Sequence, residues 1–292
     1  MEQVKRMVCE NMNEQYRVNP LCVSLCQMNV GDDKVQNVQR TLEYITESKK
    51  LGAKLAVLPE MFCCPYDNSK FQAYCEPEEK GYALSSIREC AAKNEIAVAA
   101  GTLPEVSMGK IYNTQYLVDE KGDIVGKHRK MHLFDIDIRN GISFHESDVL
   151  SPGDKVTMTE LFGIKTGLAV CYDIRFPEYV RVLSQDDTAL VILPAAFNMT
   201  TGPAHWETVL KCRALDNQMF IIAVSPARDR NSSYIAYGHS MITGPWGDVL
   251  IQADEKPCIK TLEIDFSMRD QIMLQLPLLK HKRSDLYKTV LL

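Results

Sequence analysis

The sequence predicts an α/β protein in which helices are layered over mixed β-sheets. Segments with apolar residues at helical spacing alternate with short apolar runs, and no Ser- or Gly-rich linker separates them. Runs such as Val191-Ile192-Leu193 are apolar without alternation, which indicates strands covered on both faces. The strand segments outnumber what one twisted sheet holds comfortably, so we expect two sheets packed face to face. They form one domain over residues 20–292, after a loose polar arm over residues 1–19.

In the first half, periodicity defines two cycles of helix and strand followed by a hairpin. Val35, Val38, Leu42 and Ile45 recur at helical spacing after the turn at 31–33, which indicates a helix. The turn at 119–122 separates the two strands of the hairpin. The predicted elements are a strand at 21–26, the helix from residue 35, a strand at 55–58, a helix at 84–93, a strand at 96–100 and the hairpin 112–118 with 124–127.

The second half continues the alternation and ends in short strands. The predicted elements are a strand at 164–170, a helix at 177–184, a strand at 189–193, a helix at 206–217, a strand at 220–224, and short strands near 238–243, 249–252 and 259–264.

Composition excludes several classes of protein. Among 292 residues, 33 basic and 38 acidic side chains give a net charge of −5 without a long run of one sign, which argues against binding to nucleic acid or an anionic membrane. No apolar run approaches the roughly 20 residues of a membrane span, and the N-terminus lacks the apolar region of a secretory signal. Ten irregularly spaced cysteines indicate reduced thiols. We therefore expect a cytoplasmic protein.

Three strand ends carry side chains suited to nucleophilic catalysis. Cys171 lies where an apolar run breaks into polar residues, and loops after such strands form ligand-binding crevices in α/β proteins. A thiol needs a base or a cation to become a thiolate. Glu60 ends the apolar run at 55–59, and Lys130 ends the basic stretch at 127–130. Each of the two charges, taken alone, is also compatible with a solvated surface position.

Glu60 is a better candidate base than any of the six histidines. None of the histidines has a distinguishing context, and His128 and His132, four residues apart, lack the second ligand pair of a zinc site. No dinucleotide-binding or phosphate-binding glycine motif is present. An apolar wall around Glu60 would raise its pKa towards the range in which it takes a thiol proton.

Three stretches in this order resemble the nitrilase superfamily of carbon–nitrogen hydrolases, and more narrowly its omega-amidase branch. They are Leu58–Glu60, Lys130–Asp137 and Cys171–Glu178, with further matches at 196–207, 213–218, 225–229 and 282–287. The resemblance covers about residues 20–289. It implies a four-layer α-β-β-α sandwich and a homodimer, a catalytic triad of Glu60, Lys130 and Cys171 with Glu146 as a second glutamate, and no metal or organic cofactor.

The resemblance also implies a substrate class. Omega-amidases convert α-keto dicarboxylate monoamides, such as α-ketoglutaramate and α-ketosuccinamate, to the dicarboxylate and ammonia. The partner would thus be a small-molecule amide that also carries a carboxylate. We expect Arg175 to hold that carboxylate by two parallel hydrogen bonds, the Tyr172 backbone N–H to stabilise the oxyanion, and Tyr66 and Phe197 to line the pocket.

Two alternatives remain at this point. The same fold and triad could act on another acyl group, for example deaminated glutathione or an N-carbamoyl compound. A catalytically silent binding protein is the other alternative, but it predicts an altered triad residue, and none is altered here. Arg175 could likewise pair with Glu178 or Asp173 and only shape its loop.

Overall fold

The structure is a computed structural model that describes residues 19–139 and 143–291. Almost the whole of the predicted arm at 1–19 therefore lies outside the described residues. None of the helices in the described part of the chain is long and apolar enough to cross a membrane.

Strands and helices alternate in the predicted order. The strands are β1 (Leu21–Gln27), β2 (Leu55–Val57), β3 (Ala97–Ser107), β4 (Lys110–Val118), β5 (Ile124–Arg129), β6 (Asp135–Asp137), β7 (Ser143–His145), β8 (Thr157–Leu161), β9 (Ile164–Leu168), β10 (Leu190–Pro194), β11 (Phe220–Val224), β12 (Met241–Thr243), β13 (Val249–Gln252) and β14 (Cys258–Ile264). The helices are α1 (Lys34–Lys50), α2 (Asn68–Tyr74), α3 (Tyr82–Asn94), α4 (Pro177–Leu183), α5 (Gly202–Asn217), α6 (Ser267–Gln275) and α7 (Leu278–His281).

The long strands form two six-stranded mixed sheets. The first has the order β14-β1-β2-β3-β4-β5, with β1, β2 and β3 parallel to one another. The second has the order β13-β12-β11-β10-β9-β8, with β9, β10 and β11 parallel. The outer strands pair antiparallel. In each sheet the parallel strands lie at the centre, where helices on one side and the other sheet on the opposite side cover them.

The two sheets pack face to face through one apolar core. Its members include Leu25, Val57, Ala99 and Leu117 from the first sheet and Leu168, Ile192, Ile222 and Ile242 from the second, all fully buried. Burial of such side chains supplies the main favourable free energy of the fold, about 25 cal/mol for each Å² of apolar surface removed from water. This core confirms the predicted packing of two sheets.

Helices cover the outer face of each sheet. Val38 and Ile45 of α1 and Ile87 of α3 pack on the first sheet, and Leu210 and Ala214 of α5 pack on the second. Asp33 caps the N-terminus of helix α1, because its side chain accepts a hydrogen bond from the Gln36 backbone N–H, and the helix ends with two lysines. The predicted four-layer α-β-β-α sandwich is therefore confirmed.

Sequence periodicity missed the short elements. The unpredicted elements are α2, the hairpin of β6 with β7, the edge strand β8, and the helices α6 and α7. The two hairpin strands have three residues each, too few to define a period, and β8 alternates exposed with partly buried residues at the sheet edge. The hairpin has a direct bearing on the candidate site, because Glu146 follows β7.

Candidate active site

Glu60 lies in a tight turn directly after β2. The carbonyl of Pro59 in this turn approaches Gly101 of β3 so closely that a Cβ atom at residue 101 would lie 2.0 Å from it. The Thr102 side chain then accepts a hydrogen bond from the Met61 backbone N–H at 2.8 Å. Only glycine allows this close approach of two backbones. The first sheet thereby fixes the direction of the Glu60 side chain.

Lys130 lies one residue after β5 in the same sheet. Its backbone N–H donates to the Asn113 carbonyl at 2.9 Å. The preceding residue, Arg129, binds the buried Glu105 carboxylate of β3 through two hydrogen bonds of 2.9 and 2.7 Å. A bidentate pair of this kind restrains both direction and register. The end of β5 is thus held in one position, from which Lys130 reaches inwards.

Cys171 lies three residues after the end of β9, in the second sheet. It begins a short 3₁₀ turn, Cys171–Arg175, and its own φ is +44°. Positive φ is uncommon outside glycine and is often found where a side chain is held for function. The residue is buried, with 4% of its surface exposed. A strand end of one sheet thus directs the thiol towards side chains of the other.

A buried cluster of opposite charges surrounds the Lys130 ammonium. Lys130 Nζ lies 3.2 Å from Glu60 Oε1, and 2.9 and 2.7 Å from the two oxygens of Glu146. Asn113 Nδ2 donates to Glu60 Oε1 at 2.8 Å, and the Tyr66 hydroxyl donates to Glu146. Both carboxylates and the ammonium are fully buried. Buried ions persist only when paired and hydrogen-bonded, and here both conditions are met.

The surroundings raise the pKa of both Glu60 and Lys130, but for different reasons. Burial raises the pKa of Glu60, Lys130 opposes that shift, and Glu146 adds to it. Burial would lower the pKa of Lys130, but the two glutamates outweigh it and raise that pKa instead. The ammonium therefore keeps its proton, whereas Glu60 binds a proton more readily than an ordinary glutamate. This is the pattern expected when a base works beside a permanent cation.

The Cys171 thiol lies next to Glu60. Burial and the Glu60 charge raise the pKa of the thiol, while Lys130 and the Ala196 backbone N–H favour the thiolate. The thiol in turn helps to lower the pKa of Glu60 by hydrogen bonding. Glu60 Oε2 has no hydrogen-bond partner among the other described polar groups, so it is free to accept the thiol proton. A thiol in this setting is protonated at rest and loses its proton to Glu60 as it reacts.

The Arg175 guanidinium lies at the other end of the same turn. It packs over the Phe197 ring at 4.6 Å and over the Tyr172 ring at 5.7 Å, and its Nη1 lies 3.1 Å from His205 Nδ1. Cys171 is close enough to affect its pKa, which burial lowers. Among the described residues, no ion pair joins Arg175 to Glu178 or to Asp173, and the Asp173 carboxylate binds two histidines instead.

The structure brings most of the predicted site residues together. Glu60, Lys130, Glu146 and Tyr66 form one hydrogen-bonded cluster beside Cys171. Tyr66 does more than line a pocket, since its hydroxyl binds the charged cluster. The remaining three predicted residues form a second group, in which the Arg175 guanidinium packs over the rings of Tyr172 and Phe197.

Sequence reasoning missed several polar groups of the site. Asn113 begins a run of three buried polar residues, Asn113–Gln115, in β4, and that run was the available signal. Tyr234 is buried beside the cluster, and its ring packs 4.6 Å from that of Tyr66. Its hydroxyl donates to the Ala196 carbonyl at 2.5 Å. Nothing in the local sequence around Tyr234 indicates this placement.

No group of three or more His, Cys, Asp or Glu side chains in residues 19–139 and 143–291 is arranged to hold a metal ion. His128 and His132 both face the Asp173 carboxylate, at 3.1 and 2.7 Å. Their spacing of four residues therefore serves hydrogen bonding to one carboxylate.

Comparison with known proteins gives the family. Residues 22–272 match the model of the carbon-nitrogen hydrolase family. The chain belongs to the carbon–nitrogen hydrolases. It is 45% identical over 264 residues to nitrilase homolog 2 of Dictyostelium discoideum, covering 90% of this chain and 80% of that protein. It is 41% identical over 268 residues to omega-amidase NIT2 of Homo sapiens, covering 91% of this chain and 96% of that protein.

The fold of this carbon–nitrogen hydrolase is similar to that of solved relatives. Saccharomyces cerevisiae Nit3, described as a member of branch 10 of the nitrilase superfamily, aligns with a TM-score of 0.83 at 37% identity, covering 90% of this chain and 97% of that one. These matches confirm two predictions from the sequence: that the chain belongs to the nitrilase superfamily and that it is an enzyme that hydrolyses carbon–nitrogen bonds.

Proposed function

We propose that the protein is an omega-amidase-like hydrolase that releases ammonia from the terminal amide of α-keto dicarboxylate monoamides such as α-ketoglutaramate and α-ketosuccinamate. The observation that carries the proposal is the convergence of Glu60, Lys130 and Cys171, from the ends of three strands, on one buried site. The similarity to omega-amidases over nine-tenths of the chain supports the choice of substrate.

The first half of the reaction forms a thioester. Glu60 takes the proton of the Cys171 thiol while sulfur attacks the amide carbon. The carbonyl oxygen becomes an oxyanion, which Lys130 and the Tyr172 backbone N–H stabilise. Glu60 then returns the proton to the amide nitrogen, the C–N bond breaks and ammonia leaves. Glu146 holds the ammonium of Lys130 in place through two short contacts.

The second half hydrolyses the thioester. Glu60, again ionised, takes a proton from a water molecule that attacks the thioester carbon. A second oxyanion forms in the same place, the C–S bond breaks, and the proton returns to sulfur. The acid leaves and the resting thiol is restored. One carboxyl group thus serves as base and acid in both halves, which suits its raised pKa.

The position of Arg175 indicates a substrate that carries a carboxylate in addition to its amide. Its guanidinium packs over two aromatic rings, lies near enough to Cys171 for the two groups to interact electrostatically, and has no carboxylate partner among the described residues. Guanidinium binds a carboxylate through two parallel hydrogen bonds. We propose that it holds the carboxylate at the far end of the monoamide and thereby places the amide next to Cys171.

Replacing this guanidinium should separate charged from neutral substrates. We expect Arg175→Met to lower kcat/KM for α-ketoglutaramate by about 10- to 100-fold, the value of a hydrogen bond to a charged group. For propionamide, which has no distal carboxylate, the change should stay within about threefold. Arg181→Met, on helix α4, is the matched control. An equal loss for both substrates would contradict the anchoring role.

The pH profile should report the raised pKa of Glu60. Glu60 must be ionised to act as the base, so kcat/KM should fall as the pH drops through the pKa of Glu60. Because burial raises that pKa, the fall should occur above the usual pKa of a glutamate, about 4.3. Asn113→Leu removes a donor to the ionised form and should move the fall to still higher pH. Full activity at pH 4 in the parent protein would contradict this role.

Assembly and location are further parts of the proposal. We propose a homodimer, as the resemblance implies, with the exposed apolar side chains of the C-terminal segment, Leu286, Tyr287, Val290 and Leu291, at the contact. We also propose a cytoplasmic enzyme, since all nine cysteines of the described residues are free thiols. Sedimentation analysis of the full chain measures the first, and imaging of a tagged chain the second.

The decisive experiment for the function is ammonia release from a panel of monoamides. The panel contains α-ketoglutaramate, α-ketosuccinamate, succinamate, deaminated glutathione and an N-carbamoyl amino acid, each assayed before and after treatment with iodoacetamide. We expect the α-keto monoamides to give the highest kcat/KM and alkylation to abolish it. A clear preference for deaminated glutathione or the carbamoyl compound would move the function to the alternative acyl group.

A further inference from the structure

The Asp173 carboxylate restrains the backbone of the nucleophile's turn. Asp173 is the third residue of that turn and is fully buried. Its Oδ2 accepts from the Val170 backbone N–H at 3.0 Å, and its own N–H donates to the Val170 carbonyl at 3.0 Å. These two hydrogen bonds close a ring that contains Cys171. The positive φ of Cys171 is therefore held from both sides.

The same carboxylate binds the segment that carries Lys130. Its Oδ1 accepts from the His132 backbone N–H at 2.9 Å and lies 2.7 Å from His132 Nδ1, while its Oδ2 lies 3.1 Å from His128 Nε2. His128 and His132 stand two residues before and two residues after Lys130. One side chain thus contacts the backbone next to the thiol and the residues on both sides of the ammonium.

The charge and packing of this contact make it rigid. Burial would raise the pKa of Asp173, but hydrogen bonds from His128 and His132 lower it strongly, so the carboxylate stays ionised. Hydrogen bonds to an ionised acceptor are about twice as strong as neutral ones. The His132 ring also stacks on Phe176, at 3.8 Å between centroids and 15° between planes. Both segments are therefore joined by polar and aromatic contacts.

We infer that Asp173 is a positioning residue that sets the separation between the Cys171 sulfur and the Lys130 ammonium. The inference rests on the proposed function. Asp173 joins the end of β5 in the first sheet to the turn after β9 in the second, and it has no role in the proton transfers themselves. A shift of about 1 Å between reacting groups costs on the order of 10²-fold in rate.

The test compares Asp173→Asn with Ile45→Val in the full chain. The first variant loses the charge and one acceptor, and the second shortens a buried side chain of α1 remote from the site. For each, kcat per active site is measured on α-ketoglutaramate and on propionamide, together with the rate of Cys171 alkylation by iodoacetamide. We expect Asp173→Asn to lose about 10²-fold in kcat on both amides, with slower alkylation. Ile45→Val should match the parent protein in both.

A second variant covers the case in which Asp173→Asn does not fold. His132→Phe keeps a ring to stack on Phe176 and the backbone hydrogen bond to Asp173 Oδ1, and it removes only the ring nitrogen that binds this oxygen. A loss of about tenfold in kcat is expected. Unchanged kcat and alkylation in a folded Asp173→Asn would overturn the inference. So would a loss confined to α-ketoglutaramate, which would assign Asp173 to the placement of Arg175 alone. If the parent protein hydrolyses no monoamide, the proposed function fails, while the alkylation rates still test Asp173.

Discussion

Cys171→Ala is expected to abolish turnover. The substitution removes the atom that bonds to the substrate, and loss of a covalent nucleophile lowers kcat by on the order of 10⁴- to 10⁶-fold. The fold should persist, because one buried sulfur is lost from a site where alanine keeps the same backbone. Ammonia release from α-ketoglutaramate at high enzyme concentration measures the remaining rate, and thermal unfolding measures the stability.

A second cysteine provides the control for this prediction. Cys212 on helix α5 is exposed, and none of the described hydrogen bonds joins it to the charged cluster. Cys212→Ala should therefore retain the full rate while removing an exposed thiol. Activity of Cys171→Ala within tenfold of the parent protein would end the thioester mechanism and with it the proposed function.

Lys130→Met is expected to be the next most damaging change, in activity and in stability. Without the ammonium, the oxyanion loses a donor, which typically costs about 10²- to 10³-fold in kcat. The substitution also leaves Glu60 and Glu146 facing each other in the interior without their shared cation. Removing one partner of a buried ion pair costs about 3–5 kcal/mol of unfolding free energy. Assays of kcat and denaturant unfolding measure the two effects separately.

Lys165→Met is the matched control for Lys130→Met. Lys165 lies in β9, and its ammonium forms an exposed ion pair with Asp186, a class of contact worth about 0–1 kcal/mol. Its loss should leave kcat within about threefold and barely change the unfolding midpoint. A Lys130→Met protein as active and as stable as Lys165→Met would contradict the role of the ammonium.

The layered fold could be predicted from the sequence because each major element leaves a clear apolar pattern. The run Val191-Ile192-Leu193 indicated a strand covered on both faces, and it is fully buried in β10. The helix around Val38 and Ile45 buries both residues, as its period required. Order along the chain, however, does not give the order of strands in a sheet. The placement of β14 beside β1 depends on contacts between residues about 240 positions apart.

Most residues of the candidate site could be predicted from the sequence, but many of the contacts between them could not. Strand ends indicated Glu60 and Cys171, but the family resemblance was needed to join them with Lys130 and Glu146. The partners of Tyr66 and the carboxylate of Asp173 could not be inferred, because both depend on side-chain directions in three dimensions. Propensity and periodicity describe which face a residue occupies, and they carry no information on distances between segments remote in sequence.

The nucleophile and its base belong to different sheets, so the distance between them depends on how the two sheets pack. Any change in the volume of the interlayer core, even at residues such as Ile192 that lie outside the reaction site, shifts one half of the catalytic pair relative to the other. Natural variation in that core is therefore constrained by reaction rate as well as by folding. Surface loops distant from the strand ends do not set this distance, so their sequence is not constrained by reaction rate in the same way.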